Sequence, residues 1–173
     1  MRAILLSLVA GLTLAFNSYS QSLAELDKQN GFKEFTIGAP LSSIQKELQF
    51  NKVLNKTESK LFQVKENVMI NDLAGQAELI FYKDRLVEIT IFFNQTSMVD
   101  FNQLKESFEK QYGPGIDESN SKNKPDHLTD FDKIMMWKGS VIGLQLSFDK
   151  SHKVTELIYW GLNEVTDKAK EEF

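Results

Sequence analysis

The chain has 173 residues, 42% hydrophobic and 25% charged, with a formal net charge of −4, two histidines and no cysteine. That length and balance suit one folded domain with a real core and exclude a largely disordered chain. A mildly acidic composition lacks the clustered Lys and Arg that nucleic acid or an anionic membrane surface requires, and without Cys there is neither a disulfide framework nor the residue a lipoprotein leader needs.

Residues 1–20 read as an export leader. Arg2 supplies the positive start, residues 3–16 (AILLSLVAGLTLAF) form the apolar stretch, and Ser18-Tyr19-Ser20 puts small residues at −3 and −1 of a cleavage site after Ser20. Cleavage after Ser22 is the second choice. The apolar stretch is shorter than the roughly 20 residues a spanning helix needs, so the expectation is a processed, periplasmic or secreted protein with no membrane span in its mature part. Residues 21–173 are then one domain.

Residues 22–29 are too polar for periodicity to decide between helix and lead-in. Phe32, Phe35 and Ile37 suggest a short strand ended by Gly38-Ala39-Pro40, and Leu41, Ile44 and Leu48 predict an amphipathic helix over 41–50. Strands follow at 61–64 and 68–70. A hairpin of 77–82 and 86–93 is joined by Lys83-Asp84-Arg85. The strongest helix signal covers 98–112, with Phe101, Leu104, Phe108 and Tyr112 on one face and Gly113-Pro114-Gly115 as its stop. Residues 116–129 read as a polar loop, strands return at 133–138, 141–148 and 154–160, and 163–173 looks like a short charged helix.

The two halves are alike. Leu79-Ile80-Phe81-Tyr82 with Val87-Glu88-Ile89 matches Leu146-Ser147-Phe148-Asp149 with Thr155-Glu156-Leu157. The resulting expectation is an α+β fold: an antiparallel sheet of about six strands with two helices on one face, built from a helix-plus-three-strand unit used twice, over about 35–93 and 98–160. The run Phe35-Thr36-Ile37-Gly38-Ala39-Pro40-Leu41-Ser42-Ser43-Ile44 resembles the opening of small exported bacterial domains of the β-lactamase-inhibitor-like and SmpA/OmlA-like groups. Tyr112-Gly113-Pro114, followed by the Trp137 strand and a hairpin, is similar to uncharacterised secreted bacterial proteins. The resemblance implies a helix laid on an antiparallel sheet and carries over no active residue; the lipobox cysteine of one group and the disulfides of the other are missing here.

Candidate chemistry is sparse. Asp126, His127, Asp130 and Asp132 are the one cluster with metal-ligand character, set in the most hydrophilic stretch, where solvated charge is the ordinary outcome. His152 falls in a hairpin link, and no Gly-rich phosphate cradle occurs. Glu88 and Glu156 occupy matching hairpin positions, which invites a paired-carboxylate reading that duplication alone would also produce. No catalytic residue, metal or cofactor is therefore expected. The informative excess is apolar: Leu79, Phe81, Ile89, Ile91, Leu144, Leu146 and Phe148 suffice for a core beneath the long helix, yet alternation sends Ile80, Tyr82 and Phe92 to the other face. Trp137 and Trp160 are expected to join them. A second apolar face is covered by the chain itself, buried in a homodimer, or used to bind a partner protein or apolar ligand. The favoured functional expectation is an exported, non-enzymatic binding module; the alternative is a small hydrolase or metal-dependent enzyme built on His127 or the paired glutamates.

Overall fold

A computed structural model describes residues 23–54, 59–121 and 129–162. The leader at 1–20, the Asp126-His127 pair and the terminal helix at 163–173 lie outside them. Helix α1 (23–29) leads into a small hairpin of β1 (Gly31–Phe32) and β2 (Phe35–Thr36), followed by a single turn α2 (Leu41–Ile44) and a 3-10 turn Gln45–Glu47. The main sheet takes β3 (Leu48–Val53), β4 (Ser59–Val64), β6 (Leu73–Tyr82) and β7 (Arg85–Asn94). After α3 (Met98–Tyr112) it takes β8 (Ile116–Asp117), β9 (Lys133–Lys138), β10 (Ile142–Asp149) and β11 (Val154–Gly161), while β5 (Val68–Ile70) pairs with β6 outside the main path.

Among the described residues the architecture is α+β, but the antiparallel sheet has nine strands rather than about six. The helix expected at 41–50 is the largest local correction. Leu41, Ile44 and Leu48 do fit a helical period, but Leu48 and Phe50 also fit a period of two, and the ladder Leu48↔Val64, Gln49↔Gln63, Phe50↔Phe62 claims them for an edge strand. Residues 98–112 form a helix as expected. Ser97 and Asp100 close a capping box at its start, and Gly113, at φ 81°, turns the chain at its end in a region that favours glycine.

Strand order runs β3-β4-β6-β7-β11-β10-β9-β8, so two four-strand meanders meet edge to edge. Their seam is symmetric in register: Glu88↔Trp160 and Phe92↔Glu156 sit on either side of Thr90↔Ile158. The next strands follow the same rule, with Leu79↔Ile89 matched by Leu146↔Leu157.

One sheet face carries the core. Leu79, Phe81, Ile89, Ile91, Leu144, Leu146 and Leu157 are buried there beneath Phe101, Leu104 and Phe108 of α3, and Leu26, Phe32 and Phe35 extend the same cluster. Trp137 belongs to this face, a correction to its expected place beside Tyr82. It pairs with Leu144 in the ladder and therefore points with it into the core, where it is fully buried. Its Nε1 donates to the Gly113 carbonyl at 2.8 Å, and its ring meets Phe108 edge-on at 5.9 Å. Among the described residues no helix is long and apolar enough to cross a membrane.

The hairpin turns at Lys83-Asp84 (49° and 57°) and Asn71-Asp72 (47° and 39°) each use two residues with positive φ. This is the mirror-image turn geometry that best suits the twist of paired strands and prefers Asn-Gly. Asp72→Gly is accordingly expected to stabilise the protein by up to about 1 kcal/mol, because a Cβ is strained in the left-handed region. Thermal unfolding followed by circular dichroism should show Tm rising by about 2 °C; a fall would show that Asp72 contributes more than its backbone angle suggests.

Candidate functional site

The face opposite α3 bears a trough of about 650 Å³, lined from several strands at once. Leu61 comes from β4, Glu78 and Ile80 from β6, Glu88, Thr90 and Phe92 from β7, and Val154, Glu156 and Ile158 from β11; Lys52, Leu54 and Phe131 close the sides. These positions converge because strand alternation puts every second residue on this face and antiparallel pairing lines them up, as in Glu78↔Thr90↔Ile158 and Ile80↔Glu88↔Trp160.

Ile80 and Phe92 therefore lie in the trough, as expected of them, and both are only half-buried. Tyr82 and Trp160 lie on the same face at its margins. Lys83 Nζ stands 4.8 Å from the centre of the Tyr82 ring, and the Trp160 indole lies over Gly143, where any Cβ would come within 2.3 Å of it. That contact requires glycine at 143 and fixes the indole beside the trough. Trp137 is not part of the site.

Glu88 and Glu156, matched in the sequence, line the same trough. Burial, and secondarily the neighbouring Glu88 carboxylate, push the Glu156 carboxyl up to about 7. Thr90, at the hub of the two strands, donates its hydroxyl to Glu88 Oε1 at 3.2 Å. A carboxyl that titrates near neutrality beside a second carboxylate is an arrangement able to take up or release a proton, or to receive a cation. Glu78 adds a third acid one strand away, and nothing in the sequence singled it out.

Asp149, the last residue of β10, and His152, in the link to β11, stand at the end of the trough. Asp149 accepts from the backbone N–H and hydroxyl of Ser151, from the backbone N–H of His152, and from His152 Nδ1 at 2.5 Å. The Ser151 and His152 side-chain bonds hold the Asp149 carboxyl far below the usual range, and the same Asp149 bond raises His152. Ser151 Oγ also meets Nδ1, at 3.0 Å. A nucleophile relay needs the carboxylate and the serine on opposite ring nitrogens, so this set braces a turn and does not form a triad. Asp132 accepts from the Lys150 N–H and is likewise structural. Among the described residues no group of three or more His, Asp or Glu side chains could hold a metal ion.

Residues 30–149 match the family model described as the TP0088 domain. The matched segment runs from β1 through β10 and includes α3. No curated protein and no solved structure matches the chain.

Proposed function

The chain belongs to the TP0088 domain family, and from that premise we propose that it is an exported, non-enzymatic binding module whose trough receives part of a partner. The observation that carries this reading is the pairing of a complete core on one sheet face with Ile80, Phe92, Val154 and Ile158 left half-buried around a trough on the other. Apolar side chains gain little from that position in the isolated chain. Burying them under a partner recovers the hydrophobic term, at about 25 cal/mol per Å² removed from water. The leader pattern at 1–20 supports export. The symmetric seam at Thr90↔Ile158 supports a unit used twice, which would widen one sheet enough to hold the trough across its junction.

The test is capture from native envelope extract on immobilised protein, with bound material compared between the wild type and Phe92→Ser. Phe92 is half-buried on the face away from α3, so the variant is expected to keep its Tm within a few degrees and lose at least about tenfold of the specific capture, close to 1.4 kcal/mol. Equal capture by the variant, or its unfolding, would remove the trough as the binding surface. Tyr82→Ala and Trp160→Ala, at the margins, should have smaller effects.

One observation favours a second reading, acid–base catalysis. Glu156 titrates near neutrality in a concave site beside Glu88, the kind of matched pair hydrolases use. Turnover in a screen of glycosides and esters, abolished by Glu156→Gln, would favour it over simple binding.

A further inference from the structure

Among the described residues β3 has β4 on one side and no strand on the other, and five of its six residues are exposed. The opposite edge, β8, is only two residues long. The pairing of β3 fixes which of its backbone groups face outward. Lys65 N–H donates to the Glu47 carbonyl and Leu54 N–H to the Ser59 carbonyl, both at 3.0 Å, so Glu47, Gln49, Lys52 and Leu54 turn their backbone towards β4. Phe50 and Val53 turn theirs away from it. Leu48 does the same, but its N–H is taken by the Gln45 carbonyl. We propose that β3 is a docking edge for an extended segment of a partner polypeptide, which joins the sheet as one more strand. This surface is separate from the trough and does not rest on it.

Outward N–H and C=O groups along a strand are complementary to another backbone in extended form, which sets the class of occupant. Side chains set its character. Phe50 meets Phe62 edge-on with ring centres 5.4 Å apart, and Phe62 meets Phe81 in the same way, also at 5.4 Å. A ladder of rings therefore runs from the core out to the sheet edge. Its last rung, Phe50, is 54% exposed, and Val53, on the same face by register, is 53% exposed. An added strand with an aromatic or branched apolar residue opposite Phe50 supplies the next rung and covers both side chains.

A second copy fits this edge less well. The six residues of β3 span about 20 Å, and a strip about 10 Å deep gives about 200 Å² a side, against about 800 Å² a side in a stable interface. The register also slips between Phe50 and Lys52, leaving Asn51 bulged. A bulge and an edge lysine are common guards against indiscriminate pairing, and they interrupt a long seam between two sheets. A short segment can follow the local twist and pair with Phe50 and Val53 alone. Both residues lie on the α3 side of the sheet, whereas Ile80 and Phe92 line the trough on the other, so substitutions separate the two surfaces.

Immobilised protein is used to select from a displayed library of random heptapeptides, and enriched sequences are synthesised for titration and for amide exchange followed by NMR. The expected result is enrichment of segments with alternating apolar residues, bound at least about tenfold more weakly by Phe50→Ser and equally by Phe92→Ser. Methylating alternate peptide nitrogens should abolish binding while the intervening ones tolerate it, a readout independent of how any protein variant folds. The Phe50 and Val53 amides should exchange fast in the free protein and slowly in the complex. Peptides lost in Phe92→Ser but kept in Phe50→Ser would overturn this proposal and leave the trough reading standing. Slow exchange at Phe50 and Val53 without peptide would also overturn it, whether at every dilution, as an edge already covered, or only where sedimentation shows a dimer, as pairing between copies. Failure to enrich any peptide, or binding indifferent to every methylated nitrogen, would overturn it as well.

Discussion

Trp137→Ala is expected to remove about 3–5 kcal/mol of stability, more than any substitution on the trough face should cost. The indole is fully buried at the junction of β9 with the end of α3, where its N–H bond to Gly113 and its edge contact with Phe108 tie helix to sheet. Truncation opens a cavity and also strips the Gly113 carbonyl of its donor, so two penalties add. Domains of this size hold only about 5–15 kcal/mol in total, and Tm should fall by roughly 6–20 °C. Thermal unfolding followed in the far ultraviolet measures it. Trp137→Phe should retain most of the packing and lose about 1–2 kcal/mol, chiefly the hydrogen bond. A Tm unchanged in Trp137→Ala would return this residue to the exposed face and undo the register of β9.

Local sequence alone does not orient this side chain. The run Lys133-Ile134-Met135-Met136-Trp137-Lys138 is apolar at four consecutive positions, so alternation gives no preference for which residues point inward; the pairing Trp137↔Leu144 decides it. By contrast, β6, β7 and β10 place Leu79, Ile89 and Leu146 in the core as their spacing requires. Helix α3 was legible for the same reason, with a cap at each end and one apolar stripe between. Edge strand β3 was not, since five of its six residues are exposed and only a long-range ladder holds it.

The candidate site was legible in part. Ile80 and Phe92 follow from alternation alone once the hairpin is recognised, and the matched positions of Glu88 and Glu156 follow from the likeness of the halves. Their convergence in one trough does not, because it depends on β7 pairing with β11, far along the chain, a contact no local pattern encodes. The same long-range pairing brings in Glu78, whose strand neighbour Thr90 lies on the opposite arm of its hairpin and meets Ile158 across the seam. The order of strands therefore created the acidic, apolar-walled trough from residues that are individually ordinary.

Asp27→Ala is expected to release helix α1 from the sheet at a cost of about 2 kcal/mol. The Asp27 carboxylate accepts from the Ser140 N–H at 2.7 Å, the Ser140 hydroxyl at 2.6 Å, the Val141 N–H at 2.9 Å and the Ile142 N–H at 3.2 Å, all in the turn leading into β10. Gly139 permits the approach, because a Cβ there would lie 2.1 Å from Asp27 Oδ1. Through this clasp Leu26 is held fully buried in the core, and Gln29 reaches the Tyr112 hydroxyl, which donates to it. Partial burial pushes the Asp27 carboxyl up, and the bonds from Ser140, Val141 and Ile142 together outweigh it, leaving the group below its ordinary value of 3.8. A depressed carboxyl stabilises the fold above its unfolded value and loses that contribution as pH falls through the folded one. Wild type should therefore exceed Asp27→Ala in stability at pH 7, with the gap closing below about 3.8. Urea unfolding at pH 7 and pH 3 measures the gap, and hydrogen exchange at the amides of Ser140, Val141 and Ile142 locates it. Gly139→Ala should reproduce the loss without touching the charge, and adding it to Asp27→Ala should cost little more, since both break one contact. Additive losses in the double variant would mean that the turn and the helix are held by something other than this carboxylate.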